Sequence, residues 1–493
     1  MGKSYWALWR KFRIIPPVQK VKLAVKVLLR IFGIRMPLFI GGYDLKVDEK
    51  QKRQDRLIAK NLNMQKIADT RKITGRMYAR ARYESNRYGM NNLVLSIPER
   101  NSNVKFPSYI ALMTDYLHQG GLEEVVQLLA LEYQKRRIAV KVFCVYQGGR
   151  IARRLVRRHI TVVSFYGNRK KFAEYLSVNR PYLVNTHSVS DFTDIINKQK
   201  IPVIEVIHNM YVYLTPGRIA MERNKIHDIC CYIAVSDCVR DIFIQKMYRG
   251  SLEQKHRHVV PICVIGNTGR RLSKLQKDRK QIRQQFRIAS DAFVFLMAGS
   301  IDPRKNQIGA VRALSILTSC ISRPVALVLA GAVTDVEYEW KLRSVISERG
   351  LNDWVMMTGY QEQIADLMYA SDVYLVDSYY EGWSMSATEA LCCGLPLIHS
   401  WCGSGVELTA GGRNGILIDN PIKNIGSISD ISLINDMHAG INENMEQLVS
   451  AMLEMIEHEP YWKQKQTEIA AYAHKHFSTE QMINQYLAVY AQI

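Results

Sequence analysis

The chain has 493 residues, a hydrophobic content of 47% and a formal net charge of +22. This length exceeds that of one ordinary domain, and the apolar content is that of a globular protein, which excludes a disordered or fibrous chain. The nine cysteines form no C-x-x-C pair, and several lie in apolar runs. We therefore expect buried, reduced thiols in a cytosolic compartment rather than a disulfide framework.

The positive charge is concentrated near the N terminus. Residues 1–100 carry 23 Lys and Arg against 7 Asp and Glu, a net charge of +16, which leaves +6 for the rest of the chain. Residues 1–40 contain nine basic residues and no acidic residue. Lys22, Lys26 and Arg30 recur every fourth position and share one face of a predicted helix, opposite an apolar face. This pattern is typical of a helix that lies on an anionic membrane surface.

The N-terminal segment therefore predicts a basic, amphipathic and largely helical extension over residues 1–105. Residues 1–40 of this extension would hold the protein peripherally on the inner, cytoplasmic face of the cell membrane. The run VKLAVKVLLRIFGI is interrupted by Lys and Arg, so we expect neither a secretory signal nor a membrane span. The alternative is a helix that packs on the protein body with a solvated basic face. We expect no nucleic-acid partner, because the sequence contains no recognised nucleic-acid-binding module.

From residue 106 onward, short β-branched runs alternate with segments of helical length. Seven such runs lie in residues 106–272, from YIALMTDY to VVPICVI, and six more lie in residues 273–477, from AFVFLMAGS to GILID. Runs that are apolar throughout indicate parallel strands buried on both faces. The sequence therefore predicts an α/β protein with two Rossmann-like, doubly wound domains that face a cleft, followed by a C-terminal helix over residues 478–493.

The stretch YYEGWSMSATEALCCGLP, which begins at Tyr379, carries two carboxylates in a run that is otherwise suited to burial. It follows the predicted strand DVYLVDS, so Glu381 lies in a strand-to-helix turn and Glu389 lies in the helix. Such turns line the ligand crevice of parallel sheets, and the free N–H groups at the helix start favour a phosphate. The alternative is structural: Ser386 and Glu389 form a capping box, and Glu381 is a solvated turn residue.

Three further segments carry candidate ligand-binding residues after predicted strands. Arg304 and Lys305 lie in AGSIDPRKN, directly after the first strand of the second domain. Gly120 and Gly121 separate a strand of the first domain from a helix, where glycine permits close approach of the backbone to a ligand. Each feature alone is also common in structural turns. Two histidines end strands of the first domain: His187 and His208.

The order E-G-W-S-M-S-A-T-E-A-L-C-C-G-L-P resembles the E-x7-E motif of the retaining glycosyltransferases of family 4, which have the GT-B architecture and include bacterial-type polysaccharide and lipopolysaccharide glycosyltransferases. The resemblance extends over residues 109–475. It implies that Glu381 holds hydroxyls of the donor sugar and that Glu389 holds the ribose of the nucleotide. It also implies that four backbone amides face the sugar and the phosphates: those of Gly382, Trp383, Ser384 and Met385.

The segment AGSIDPRKN is similar to the family segment in which an Arg and a Lys neutralise the departing diphosphate. Lys305 matches the lysine of the family, whereas Ser300 stands at the arginine position, so the neighbouring Arg304 is the candidate substitute. The same resemblance implies a ligand-binding Gly-Gly loop that begins at Gly120. It also implies that His208 lies near the donor sugar and the acceptor.

The resemblance therefore implies a retaining glycosyltransferase that transfers a sugar from a nucleotide-sugar donor to a glycan or lipid-linked acceptor in cell-surface polysaccharide synthesis. We expect no cofactor besides this co-substrate. We also expect no metal, since the sequence has no D-x-D pair at a strand end and no Cys/His cluster. Ser300 keeps a second interpretation open, which is a catalytically inactive, membrane-associated GT-B scaffold for a partner transferase. A phosphorylase or epimerase of the same fold fits the Glu381 stretch less well.

Overall fold

The structure is a computed structural model that describes residues 45–64, 106–118, 120–248, 260–269 and 278–493. The chain divides into two compact units, residues 1–54 and 55–493. The predicted membrane-binding segment, with Lys22, Lys26 and Arg30, lies outside the described residues, as does most of the predicted N-terminal extension.

The first sheet is built from seven parallel strands, which correspond to the seven apolar runs of the sequence. Its strands are β1 (Ile110–Leu117), β2 (Val140–Gly148), β3 (Thr161–Ser164), β4 (Leu183–His187), β5 (Val203–Ile207), β6 (Cys231–Ala234) and β7 (Ile262–Val264). Their spatial order is β3-β2-β1-β4-β5-β6-β7, and every neighbouring pair is parallel. Strands β4 and β5 are buried along their whole length, as expected for runs without polar alternation.

The second sheet is built from six parallel strands, again at the predicted runs. Its strands are β8 (Phe293–Ala298), β9 (Val325–Ala330), β10 (Val355–Gly359), β11 (Val373–Val376), β12 (Leu397–Ser400) and β13 (Gly415–Ile418). Their spatial order is β10-β9-β8-β11-β12-β13, with parallel pairing throughout. Strand order reverses between β1 and β4 in one sheet and between β8 and β11 in the other. Such switch points are where doubly wound sheets bind ligands.

Helices connect the strands and cover both sheets. The α-helices of the described residues are α1 (Leu45–Met64), α2 (Gly121–Lys135), α3 (Arg150–Arg157), α4 (Arg169–Val178), α5 (Thr193–Lys198), α6 (Pro216–Lys225), α7 (Asp237–Tyr248), α8 (Arg279–Gln285), α9 (Gln307–Cys320), α10 (Val336–Glu348), α11 (Ile364–Ala370), α12 (Met385–Cys392), α13 (Gly405–Thr409), α14 (Asp430–Ala439), α15 (Met445–Glu457), α16 (Glu459–His476) and α17 (Thr479–Tyr490). Single 3₁₀ turns span Ile226–Asp228, Pro303–Lys305, Ala410–Gly412 and Ile425–Ser427. No helix in these described ranges is long and apolar enough to cross a membrane.

Helix α1 is the described part of the predicted N-terminal extension. From Asp55 onward it packs on helices of the second sheet. The Asp55 carboxylate accepts hydrogen bonds from Arg312 in α9 and from Arg349 at the end of α10, each at 2.8 Å. All three side chains are largely shielded from solvent, and Ile58 on the same helix joins the core. A buried carboxylate between two guanidinium groups fixes where residues 55–64 of this helix pack.

The two doubly wound domains face each other across a cleft, as predicted. The backbone N–H of Gly403, after β12, lies 3.4 Å from the Met210 sulfur in the loop after β5. The Glu407 carboxylate in α13 accepts a hydrogen bond of 2.7 Å from the N–H of Asp237, the first residue of α7. Helix α17 returns to the first domain. Ser478 caps its start by accepting from the Gln481 N–H, which agrees with the predicted terminal helix.

Candidate active site

The candidate site lies at the carboxyl ends of β8 and β11, at the switch point of the second sheet. A 3₁₀ turn, Pro303–Lys305, follows β8 and leads directly into α9. Asn306 joins them in the left-handed conformation (φ 55°), and its side chain accepts from the Gly309 N–H at 3.2 Å, which caps α9. Asparagine tolerates this conformation better than other non-glycine residues, so the turn is set by local sequence.

Glu381 forms a buried ion-pair cluster with the two cations of this turn. Its carboxylate accepts a hydrogen bond from Arg304 at 3.1 Å, another from Lys305, and a third from the Ser378 hydroxyl at 2.8 Å. Glu381 is 6% exposed. Burial acts to raise the pKa of this carboxyl, but Lys305 and Arg304 outweigh it and lower the pKa to about 2. The structure thus brings together three residues that the sequence placed in two separate segments.

A second layer of polar side chains holds the turn that carries the cations. The Asn306 amide donates to Asp377 at 2.7 Å, and the Asn444 amide donates to the other Asp377 oxygen at 2.8 Å. The Tyr379 N–H donates to the Arg304 carbonyl at 3.0 Å. Burial raises the pKa of Asp377 to about 7. Asp377 and Asn306 are not among the residues predicted from the sequence, although Asp377 directly follows the apolar run VYLV.

A small cavity opens beside this cluster, between the ends of β8 and β11. Its lining includes the polar side chains of Lys305, Ser378, Ser384 and Ser386 and the glycine Gly299. The arrangement offers one ammonium group and several hydroxyls to a polar ligand.

Ser300 takes part in the turn rather than in the cluster. Its hydroxyl donates to Asp302, and its carbonyl accepts from Gln307 at 2.8 Å. The guanidinium that reaches Glu381 is that of Arg304, which also lies 5.8 Å from the centre of the Tyr380 ring. Arg304 therefore supplies the guanidinium group of the cluster, although position 300 is a serine.

Gly382 and His208, two of the predicted site residues, contact each other through their backbones. A Cβ atom on Gly382 would overlap the carbonyl oxygen of His208, so only glycine permits this approach of the two domains. His208 directly follows β5, and its Nε2 lies 2.8 Å from Nδ1 of His187. Burial lowers the pKa of His208 to about 3. The histidine therefore lies beside the Glu381 turn as a neutral ring at neutral pH.

The three residues after Gly382 differ in what their side chains contact. The Trp383 indole N–H donates to Thr388 at 2.9 Å, and its ring packs on Phe477 with centroids 5.6 Å apart. The Ser384 N–H donates to the Ser404 hydroxyl at 3.0 Å. Met385 begins α12. The Trp383 indole therefore packs inside the protein. The Ser384 N–H already donates its hydrogen bond to Ser404.

The capping-box interpretation of Ser386 and Glu389 is wrong. Helix α12 starts at Met385, so Ser386 lies inside the first turn. Its hydroxyl donates to the Ala298 carbonyl at 3.1 Å and accepts from the Tyr374 hydroxyl at 2.6 Å. Glu389 is 2% exposed and lies against the loop after β7, because a Cβ on Gly269 would fall 2.8 Å from its Cγ. Glu389 is therefore a buried carboxylate where the two domains meet, and the alternative of a solvated Glu381 fails as well.

Gly120 and Gly121 lie at the carboxyl end of β1, in the first sheet. Gly120 is the N-cap of α2 with an extended backbone, and Gly121 starts the helix with open space at its Cβ position. The Glu123 carboxylate folds back over Gly120. Among the described residues, the structure gives neither glycine a contact with the Glu381 cluster.

The described residues contain no group of three or more His, Cys, Asp or Glu side chains placed to hold a metal ion. The cationic groups at the site are instead those of Arg304 and Lys305.

Two family descriptions match the chain. Residues 119–284 match "Glycosyltransferase Family 4", and residues 278–447 match "Glycosyl transferases group 1". Together the two matches extend over about two thirds of the chain.

Curated relatives match shorter stretches. The lipopolysaccharide 1,2-N-acetylglucosaminetransferase of Salmonella typhimurium is 27% identical over 198 residues, which cover 38% of this chain and 50% of that protein. The D-inositol 3-phosphate glycosyltransferase of Arthrobacter sp. is 28% identical over 148 residues, which cover 29% of this chain and 34% of that protein. The chain thus spans a third to a half of the length of these relatives.

Solved structures share the fold over a longer span. HepE of Anabaena, crystallised with UDP and glucose, is 19% identical with a TM-score of 0.57, and the match covers 78% of this chain and all of that one. A glycosyltransferase of Rickettsia africae is 15% identical with a TM-score of 0.59, and the match covers 78% of this chain and 99% of that one.

Proposed function

The chain belongs to the glycosyltransferases of the family 4 and group 1 type and has their GT-B architecture, and from this we propose that it is a retaining, nucleotide-sugar-dependent transferase. The observation that carries the proposal is the buried cluster of Glu381, Arg304 and Lys305 at the switch point of the second sheet. It faces His208 of the first domain across the cleft.

The charges of the cluster suit a diphosphate. Glu381 is ionised at neutral pH because its pKa is about 2, and its charge compensates that of one of the two cations. A bound diphosphate would take over the hydrogen bonds of Lys305 and Arg304. The Glu381 carboxylate would then be free to accept hydrogen bonds from hydroxyls of the donor sugar.

The proposed reaction needs no protein nucleophile. The bond between the anomeric carbon and the diphosphate breaks, and the acceptor hydroxyl oxygen bonds to the same face of that carbon, with retention. The proton of the acceptor hydroxyl passes to the departing diphosphate. Lys305 and Arg304 stabilise the negative charge that develops on the leaving group, in a site from which most water is excluded. These cations would perform the neutralisation for which other enzymes use a metal ion.

The remaining site residues are assigned around this centre. Glu389 would accept hydrogen bonds from the ribose hydroxyls, because it is a buried carboxylate on the helix that begins at the site. Gly120 and Gly121 would let backbone approach the ligand from the first domain, and the backbone from Gly382 to Met385 would line its sugar and phosphates. His208 would lie near the donor sugar and the acceptor.

The relatives support the class of donor and acceptor. HepE is crystallised with UDP and glucose, which supports a nucleotide-sugar donor. The Salmonella enzyme is named for lipopolysaccharide, and an Escherichia coli relative for a sugar-diphosphoundecaprenol acceptor, which supports a glycan or lipid-linked acceptor in cell-surface polysaccharide synthesis. Peripheral attachment to the inner face of the membrane through residues 1–40 completes the proposal.

Nucleotide binding and product stereochemistry test the proposed function. Nucleoside diphosphates and nucleotide sugars should be screened for a rise in unfolding temperature, because a ligand that binds only the folded cleft stabilises it. With the donor so found, NMR of the product should show the anomeric configuration of the donor. An inverted product would refute retention. A protein that binds a nucleotide sugar but transfers no sugar would support the inactive scaffold instead.

A further inference from the structure

A chain of hydrogen bonds runs from the cleft into the core of the first domain. His208 Nε2 lies 2.8 Å from His187 Nδ1, and His187 Nε2 lies 3.0 Å from the Asn185 side-chain oxygen. The same oxygen accepts a hydrogen bond of 2.7 Å from the hydroxyl of Tyr490 in α17. Tyr133 in α2 donates to that hydroxyl at 3.1 Å. Four of the five residues are fully buried, and only His208 reaches the cleft.

The Asn185 amide fixes the direction of this chain. Its nitrogen donates to the Ile204 carbonyl at 3.0 Å, and a carbonyl can only accept. The Asn185 oxygen must therefore face Tyr490 and His187 and accept from both. It follows that His187 carries its proton on Nε2 and presents a lone pair at Nδ1.

The proton position on His208 follows from the same logic. Since His187 Nδ1 is an acceptor, the nitrogen that faces it, Nε2 of His208, must carry a proton. In the neutral ring the other nitrogen, Nδ1, then has none. Nδ1 has no hydrogen-bond partner among the described residues. The His208 backbone lies against Gly382, next to Glu381, which places this residue at the proposed donor-sugar site.

We propose that Asn185 and His187 are positioning residues that hold His208 in the Nε2–H tautomer, so that its Nδ1 accepts a hydrogen bond from a hydroxyl of the bound sugar or acceptor. The nature of that hydroxyl rests on the proposed glycosyltransferase function; the tautomer does not.

The tautomer restricts what His208 does. Burial lowers the pKa of His208 to about 3 and that of His187 well below its ordinary value, so both rings are neutral at neutral pH. A neutral ring with its proton on Nε2 accepts at Nδ1 and cannot donate there. His208 therefore orients a hydroxyl, and stabilisation of the diphosphate is left to Arg304 and Lys305.

The first test reads the tautomer directly. In protein labelled with ¹⁵N-histidine, with His208 assigned by its loss in His208→Asn, we expect a protonated Nε2 and an unprotonated Nδ1. Asn185→Leu removes the oxygen to which His187 Nε2 donates, so His187 is no longer held with its proton on that nitrogen. The proton of His208 is then no longer fixed on Nε2, and a mixture of both tautomers should appear. Tyr133→Phe, which removes only the far hydroxyl, should leave the tautomer unchanged.

A second variant covers failure of Asn185→Leu to fold. His187→Phe keeps a ring of similar size but removes the acceptor, so His208 should show a mixture of tautomers. The proposal is overturned if wild-type His208 carries its proton on Nδ1, or if the folded variants keep the wild-type tautomer.

Activity provides the second readout. With the donor identified for the wild type, Asn185→Leu should lower kcat about twofold to tenfold, because this is the effect of one hydrogen bond lost from a positioned group. The KM for the donor should change less, and Tyr133→Phe should match the wild type. A changed tautomer with unchanged kcat would overturn the positioning role. If no nucleotide sugar is turned over at all, the glycosyltransferase proposal fails, whereas the NMR result still decides the tautomer.

Discussion

At the scale of single residues, the site depends on side chains that lie far apart in the sequence. Glu381 and Lys305 are 76 positions apart and meet because β8 and β11 are neighbours in the sheet. The family resemblance predicted both residues and the part that Arg304 would take. It did not predict that Asp377 and Asn306 hold the turn, because their partners belong to other segments. The tautomer of His208 could not be predicted from the sequence either, because it depends on Asn185, which is 23 positions away, and on Tyr490 of the last helix.

A substitution at Glu389 tests whether this residue binds the nucleotide. Glu389→Gln keeps the size of the side chain but removes its charge, so nucleotide affinity should fall by about 1–3 kcal/mol. Isothermal titration with the best nucleoside diphosphate measures this change. Glu446→Gln, the same exchange at an exposed position of α15, should bind as the wild type does. Unchanged affinity in Glu389→Gln would leave this residue a purely structural role.

The Glu381 cluster should also shape stability in acid. The pKa of this carboxyl falls from 4.5 to about 2 on folding, so its contribution is present above about pH 4.5 and is lost as the pH falls toward 2. Between pH 5 and pH 3 the wild type should therefore lose more unfolding free energy than Glu381→Gln, which has no proton to take up. Urea unfolding at both pH values measures this, with Glu446→Gln as control. Equal losses in the wild type and Glu381→Gln would contradict the ion-pair cluster.

At the scale of elements, the strands followed from local sequence, whereas helix starts depended on tertiary contacts. The thirteen apolar runs became the thirteen strands of the described residues, and central strands such as β4 and β11 are buried along their whole length. The start of α12 was misread because Ser386 bonds to Ala298 and Tyr374, which are remote in sequence. The contact between α13 and α7 could not be predicted from local sequence either, because the two helices belong to different domains.

The contact between Glu407 in α13 and Asp237 in α7 should also make stability depend on pH. Burial, with Asp237 nearby, raises the pKa of Glu407 from 4.5 to about 8, so the folded protein holds a proton that the unfolded chain releases. Stability from this group is present below about pH 4.5 and is lost as the pH rises toward 8. Glu407→Gln mimics the protonated acid. Its unfolding midpoint should therefore rise relative to the wild type between pH 5 and pH 8, and a constant difference would contradict the raised pKa.

At the scale of the whole molecule, the two doubly wound domains and their cleft were predictable from the order of strands and helices. The contacts of Asp55 with Arg312 and Arg349 were not predictable, because a basic helical pattern does not say what an isolated aspartate binds. The C-terminal helix was predicted as an element, but its return to the first domain, where Tyr490 reaches Asn185, came from the structure alone.

The proposed attachment to the membrane through residues 1–40 can be tested with lipid vesicles. The full-length protein should bind vesicles that contain anionic lipid, and high salt should release it only in part, because salt screens the cations and leaves apolar burial intact. Deletion of residues 1–40 should abolish vesicle binding and spare nucleotide binding. Replacement of Lys22, Lys26 and Arg30 by Glu should weaken binding to anionic vesicles far more than to neutral ones. Equal sedimentation of the full-length and truncated proteins with vesicles would exclude this segment as the anchor.

In the proposed reaction, the cluster of Glu381, Arg304 and Lys305 drives departure of a nucleoside diphosphate from a donor sugar. The most direct measurement is the rate at which nucleoside diphosphate is released from a panel of nucleotide sugars, with lipid-linked and glycan acceptors present. We predict release from one class of donor by the wild type, and rates at least about 100-fold lower in Lys305→Ala and Glu381→Ala. Lys135→Ala, which removes an exposed ammonium on α2, should match the wild type. Full activity in both site variants, or no release from any donor by the wild type, would contradict the account.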